Sequence, residues 1–254
     1  NRTLLYLLVR GTASCFFRTL FNYKVIGREK LVEDGPAIIV ANHQSFLDPP
    51  LVGSLYRNEV FFLARKTLFD APVLKQVLPH CNVIPIDQTR PDPASIIQVL
   101  RTVKNGGRII IFPEGSRCAD GQIHDAMPGI GLILSKLAHV PVQPIRIEGA
   151  YDCLPIHSSK LKFKPITLSV GDPIQFTPEE LRAKGRDAQR AIGKKIMGDL
   201  NYSVMQRFYN ELITKNGFKP NSMEVMHTVL NPIFEDAVAD NIIRTNPCPR
   251  AMKK

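Results

Sequence analysis

Apolar runs long enough to cross a bilayer are missing from this 254-residue chain. A spanning helix needs ~20 consecutive apolar residues, and in NRTLLYLLVRGTASCFFRTLFNYKVIG the runs LLYLLV and CFF are cut short by Arg10, Gly11 and Arg18. No transmembrane segment is predicted. Cysteine is scarce: Cys15, Cys81, Cys118, Cys153 and Cys248 are odd in number, widely spread, and show neither CxxC nor a zinc spacing. That pattern argues against a disulfide framework and a structural metal site, and reads as reduced thiols in a cytosolic setting. The nucleophile elbow GxSxG, the phosphate loop GxxxxGK[ST] and the zinc-protease HExxH are all absent, and PGIGLIL lacks the third glycine and the preceding strand of a dinucleotide loop. No internal repeat or low-complexity segment is evident.

What is present describes an ordinary globular chain with an excess of positive charge. Apolar residues make up 44% and charged residues 22%, which favours a packed interior over disorder or a multispanning membrane protein. The formal charge of +10 attracts polyanions: nucleic acid, an anionic bilayer surface or phosphorylated small molecules. Charge alone does not choose among them. Residues 1–203 carry +8 of that charge and residues 204–254 the remaining +2.

Short apolar strands alternate with helical stretches. AIIVA (37–41), VFFLA (60–64), NVIPI (82–86), RIIIFP (108–113) and VQPIRI (142–147) read as buried strands, and residues 93–104, 129–138 and 178–200 as helices. The expected architecture is α/β, a mainly buried sheet flanked by helices. SKLKFKP reads as a further strand with Lys160, Lys162 and Lys164 on one face, either protecting a sheet edge or contacting anionic lipid or a nucleotide tail.

At the N-terminus Arg2, Arg10 and Arg18 are eight apart, which spreads them around a straight helix. A break near Gly11 gives two short interfacial helices over residues 1–23, each sinking leucines or phenylalanines into lipid while its arginine snorkels to head groups. The alternative is a core-packed helical hairpin. Residues 24–203 form the main domain and residues 204–254 a helical appendage. The appendage reads as a helix through Leu212, a turn from Gly217 to Pro220, an amphipathic helix with Met226, Leu230, Phe234 and Ala237 along one side, and a stop at Asn246-Pro247.

Chemistry concentrates in ANHQSFLDPP, which follows a buried strand and precedes a helix. His43 and Asp48 lie about 140° apart on a continuous helix, so they meet only if the chain turns between them. Ser45 can cap the helix with Asp48 in its first turn, or Asp48 can itself be the cap with Pro49 at the first helical position; Pro49 favours the second. In the plain reading Asp48 is a cap and His43 a polar loop residue. In the functional one Asp48 holds one imidazole nitrogen and leaves the other to take a proton from a hydroxyl. A second strand ends in FPEGSR, where Gly115 permits a tight turn, Arg117 offers a planar fork of donors for phosphate, and Glu114 and Ser116 can fix hydroxyls. His80, His124, His139, His157 and His227 show no partner spacing.

Together NHQSFLD, FPEGSR and VPVQPI, in that order and at these separations, resemble the glycerolipid acyltransferase family, most closely the 1-acylglycerol-3-phosphate (lysophosphatidate) acyltransferases. The resemblance covers roughly residues 1–203. It implies that His43 is the general base, Asp48 its orienting partner, and Glu114, Gly115, Ser116 and Arg117 the glycerol phosphate site. It also implies that Lys66 in FLARKTLF binds phosphate and that Pro141 and Pro144 help shape the acyl pocket. Where the family has Asp-Arg after a strand, this chain has Pro85-Ile86-Asp87-Gln88-Thr89-Arg90, so Arg90 comes two places late. The activity implied is direct transfer of an acyl group from acyl-CoA or acyl carrier protein to lysophosphatidate, with no bound cofactor, on the cytoplasmic face of a membrane. The tail, YNELITKNGFKPNSMEVMHTVLNPIFEDAVADNIIRTNPC, resembles part of the helical core-binding domain of tyrosine recombinases, which implies a fragment that grips DNA.

Overall fold

The computed structural model of the protein describes residues 2–87, 93–137, 139–183, 185–200, 217, 219–239, 246 and 248. Its centre is a seven-stranded mixed sheet. The strands are β1 (Lys24–Ile26), β2 (Ala37–Ala41), β3 (Phe61–Arg65), β4 (Val83–Ile86), β5 (Arg108–Ile111), β6 (Val142–Glu148) and β7 (Thr167–Val170), in the order β1-β7-β6-β2-β5-β3-β4. All pairings are parallel except β6 with β7.

Strand β2 is buried on both faces, as its unbroken apolar run requires. Because side chains alternate along a strand, Ile38 and Val40 enter one core while Ile39 and Ala41 enter the other. The first core is closed by α4 (Pro93–Lys104), α5 (Gly129–Leu134), α7 (Pro178–Arg182) and α8 (residues 186–200). The second is closed by α1 (Arg2–Leu20), α2 (Asp48–Gly53) and α6 (Ala150–Cys153). A short α3 (Pro72–Val77) precedes β4, and α9 spans Pro220–Ala239. Thus the chain leaving β2 enters a helix on one face, and the chain leaving the adjacent β5 goes to a helix on the other. In an open α/β sheet the crevice beyond such strand ends is where ligands bind.

Several elements depart from expectation. Residues 2–20 form one helix without a break at Gly11. A single internal glycine costs only about 1 kcal/mol, while Tyr6, Ala13 and Phe17 fall on one face and pack against the second core. SKLKFKP is not a strand; it runs along the surface outside the sheet, with the Lys162 amide donating to the Cys153 carbonyl, and β7 begins after it at Thr167. Phe163 is 58% exposed yet its ring meets that of Phe21 at 5.3 Å. The helix expected over 178–200 is interrupted, with Ala183 and Gly185 outside helical structure and Gly185 at φ +101°. Its start is well specified: Thr177 and Glu180 form a capping box around Pro178.

In the tail, α9 coincides with the expected amphipathic helix, with Met226, Leu230 and Phe234 half-buried. The helix through Leu212 and most of the recombinase-like stretch before it lie outside the described residues. Among the described residues no helix is long and apolar enough to cross a membrane, and no cluster of His, Cys, Asp and Glu could hold a metal ion.

Candidate active site

The two motifs meet because their strands do. Val40 of β2 lies beside Ile111 of β5, so the loops that follow leave the same edge of the sheet side by side. The loop after β2 turns sharply enough to bring His43 Nδ1 within 2.8 Å of Asp48 Oδ2. Helix α2 begins with Asp48 itself, with Leu47 as its cap. This corrects the expectation that Asp48 caps the helix ahead of Pro49. The carboxylate faces back into the loop instead, where Oδ2 also accepts the Gln44 amide at 2.6 Å and the Ser45 amide at 2.7 Å. Ser45 Oγ accepts the Leu47 amide, which tightens the same turn.

Asp48 is fully buried, and burial pushes its carboxyl up from the usual range. The hydrogen bond from His43, the His43 charge and the amides of Ser45 and Gln44 pull it back down. The imidazole is fixed from a third direction by Phe112, whose ring stacks on it at 4.1 Å with the planes 19° apart. With Nδ1 held and one face of the ring stacked on Phe112, Nε2 is the nitrogen left to exchange a proton.

The FPEGSR loop clamps the backbone of His43. Glu114 Oε1 accepts the His43 amide at 3.0 Å, and the Cys118 amide donates to the His43 carbonyl at 2.8 Å. Gln44 Nε2 adds a bond to the Gly121 carbonyl. Gly115, at φ +75°, makes the turn that returns the chain over this contact, and its amide bonds to the Phe112 carbonyl. An L-residue in this left-handed conformation is strained, and a Cβ would sit 3.1 Å from Met127 Cγ.

Both carboxylate oxygens of Glu114 are thus engaged by the protein's own amides. Its Oε2 accepts the His124 amide at 3.4 Å while Oε1 holds His43, and the residue is only 8% exposed. Burial pushes its carboxyl up to about 7; the amides of His43 and His124 and the His124 charge act downward, and Asp48 acts upward. An ordinary glutamate titrates near 4.5. Between those values the folded chain binds the proton more tightly than the unfolded one, so this group's contribution to stability is greatest in acid and is lost as pH rises towards 7, by about 3 kcal/mol. Glu114→Gln should flatten that slope. Urea midpoints at the two ends of the window check this, and parallel pH dependences of variant and parent would refute it.

The cationic side is built from two strand ends. Arg117 lies with its guanidinium carbon 3.5 Å above the ring of Phe46, a residue 54% exposed on the HQSFLD loop. Burial first and then the charge of Arg65 lower the Arg117 pKa, while Asp48 raises it. Arg65 ends β3 and Lys66 follows it, both exposed. Like charges gathered at the rim repel until an anion joins them. Sequence reading named Lys66 and missed Arg65, its neighbour on the strand end. It also missed the pair His124 Nε2 and Asp120 Oδ1, 2.8 Å apart at a spacing of four, so the expectation that His124 has no partner is corrected. Ser116 is exposed beside Arg117, and Arg90 lies outside the described residues.

Pro141 and Pro144 are not brought to His43. The carbonyl of Pro141 accepts the amide of Ile38 where β2 begins, at the sheet edge away from the histidine. Pro144 is buried inside β6 next to Val40, with its ring against Gly171.

Residues 22–148, half of the chain, match the family model described as Acyltransferase, and His43, Asp48, Glu114 and Arg117 all fall within that span. The chain belongs to the Acyltransferase family. This family member is 32% identical over 151 residues to the chloroplastic 1-acyl-sn-glycerol-3-phosphate acyltransferase BAT2 of Brassica napus, a match covering 58% of this chain and 43% of the relative. It is 26% identical over 186 residues to a 1-acyl-sn-glycerol-3-phosphate acyltransferase of Helicobacter pylori, covering 69% and 76%. The Acyltransferase-family chain thus spans less than half the length of the Brassica relative. Its fold resembles the crystal structure of the 1-acyl-sn-glycerophosphate acyltransferase PlsC from Thermotoga maritima, with a TM-score of 0.61, 26% identity, and coverage of 76% and 79%.

Proposed function

We propose that the chain transfers a fatty acyl group from acyl-CoA or acyl carrier protein to the sn-2 hydroxyl of 1-acylglycerol 3-phosphate, forming phosphatidate at a membrane surface. The observation that carries this reading is the buried Asp48 holding His43 Nδ1 at 2.8 Å, with Nε2 free to act. His43 Nε2 takes the proton of the acceptor hydroxyl as its oxygen attacks the thioester carbonyl. The tetrahedral species collapses with loss of the thiolate, and the proton passes to that sulfur. No covalent intermediate with the chain is needed, and His43 and Asp48 are the two residues assigned to catalysis. Arg117, Arg65 and Lys66 hold the phosphate of the acceptor and so fix its hydroxyl in line. The names of the relatives in Brassica, Helicobacter and Thermotoga support this choice of acceptor.

The test is thiol release from acyl-CoA on addition of acceptor, with product identified by mass. Lysophosphatidate should be used in preference to glycerol 3-phosphate and to a lysophospholipid whose phosphate carries a head group. Equal or faster turnover of either competitor overturns the acceptor assignment. Phe46→Leu removes the ring beneath Arg117 without touching the reacting atoms. A cation over an aromatic face at an exposed site is worth about 0.5–1 kcal/mol, so KM for the acceptor should rise about two- to fivefold with kcat unchanged. A fall in kcat at constant KM would show that Phe46 acts on the chemical step instead.

A further inference from the structure

Outside the candidate active site lies a cavity of about 510 Å³ under α1, lined by Arg10, Gly11, Ser14, Arg18, Thr19 and Arg28 among others, with Ser54 at its far side. No residue assigned to catalysis or acceptor binding lines it. Three arginines and three hydroxyl residues line one volume, and no acidic side chain is among its lining residues. None of the three arginines makes an ion pair with a carboxylate among the described residues.

Two of these arginines are held in place by the protein at one nitrogen. Arg10 Nη1 donates to the Tyr56 carbonyl at 2.7 Å, and Arg28 Nη2 donates to the Leu55 carbonyl at 3.0 Å. Arg10 Nε is buried and has no hydrogen-bond partner. A guanidinium offers five donors in a planar fork, so each keeps donors in hand after its structural bond is made. Three arginines lining one volume, two of them pre-positioned, suit a phosphate, which can accept from several at once.

The surroundings point to where that phosphate is carried. On the same helix Leu4, Leu8, Phe16 and Leu20 are 59%, 57%, 37% and 44% exposed. Beyond its C-terminal end Phe163 extends the apolar surface, flanked by the exposed Lys160, Lys162 and Lys164. Exposed leucines and phenylalanines along a helix whose arginines face a polar cavity match the depth profile of a bilayer surface, with apolar groups at acyl-chain depth and cations at the phosphates.

We propose that this arginine-lined cavity binds a phosphate group, presented by the head group of a membrane phospholipid, and so sets α1 at a fixed depth and rotation on the bilayer. This is a binding site for a lipid that is not consumed, separate from the acceptor site at Arg117. It does not depend on the reading of His43.

The fold itself offers a clean variant. A Cβ at Gly11 would meet no atom within 4 Å, and both Glu and Gln are better helix formers than Gly. Gly11→Glu therefore places a carboxylate at the cavity without harming the fold, and Gly11→Gln is its uncharged match. Binding is read by co-sedimentation with vesicles of phosphatidylcholine alone and of phosphatidylcholine mixed with phosphatidylglycerol. The parent and Gly11→Gln should bind the mixed vesicles, and Gly11→Glu should bind them about tenfold less. Lys104→Gln, which makes the same charge change of −1 at an exposed position on α4, on the opposite face of the sheet, should lose much less. Equal losses in Gly11→Glu and Lys104→Gln would reduce the effect to unspecific surface charge and overturn the site. Titration with inorganic phosphate separates the two sources of the group. Saturable binding of inorganic phosphate that is lost in Gly11→Glu, together with vesicle binding that the substitution leaves unchanged, would overturn the lipid as its carrier.

Discussion

His43→Ala should leave a folded protein whose acceptor-dependent release of thiol from acyl-CoA is lower by a factor of about 10²–10⁴, the usual contribution of a positioned base. The fold is spared because the ring of His43 lies at the mouth of the crevice, with its side chain 18% exposed. The two backbone bonds made by its amide and carbonyl survive the substitution. The loss should fall on kcat, since the substitution leaves in place Arg117, Arg65 and Lys66, the groups proposed to hold the acceptor. A variant with normal melting behaviour and more than a tenth of the parent rate would demote His43 to a loop residue.

The second large effect separates two roles of one carboxylate. Asp48 both fixes the imidazole and accepts the amides of Gln44 and Ser45 in a fully buried position. In Asp48→Asn the amide oxygen can still accept from the loop, but the negative charge that supports a protonated His43 is gone. Rate should fall by about 10²–10⁴ while stability changes by less than about 1 kcal/mol, because burial already disfavours the charge. Asp48→Ala instead leaves two amides and the ring nitrogen without an acceptor, and should lower the unfolding free energy by about 2–4 kcal/mol. Kinetics and urea denaturation of both variants check the split. Near-normal turnover in a stable Asp48→Asn would leave Asp48 a purely structural residue.

Much of the scaffold could be read from the chain because its central strands are unbroken apolar runs. AIIVA is β2 residue for residue, and the next strands differ from their expected limits by a residue or two. Strands β1 and β7, the neighbouring pair at one side of the sheet, were not seen, since three or four residues carry little periodic signal. SKLKFKP misled for the opposite reason. Its alternation of lysine with apolar residues imitates a strand, while the pairing that would make it one is not formed. At the site, a turn able to join His43 to Asp48 could be foreseen, because five residues on a helix would have kept them apart. The direction of the Asp48 carboxylate could not, since local propensity favoured Asp48 as a cap and the loop amides of Gln44 and Ser45 took it instead. Arg65, Phe46 and Phe112 were not foreseen either, because each acts through a neighbour brought to it by strand pairing and not through its own spacing.

The clamp on His43 also sets when the site can come into being. Its amide is held by a residue 71 places further on, and its carbonyl by the amide of Cys118. Contacts at such separation form only after the loop-closure entropy of the intervening chain has been met. A nascent chain that has reached the end of β4 therefore already contains both His43 and Asp48, yet has no fixed imidazole. The site proposed for catalysis is complete only when β5 docks beside β2 and the FPEGSR turn follows it into place.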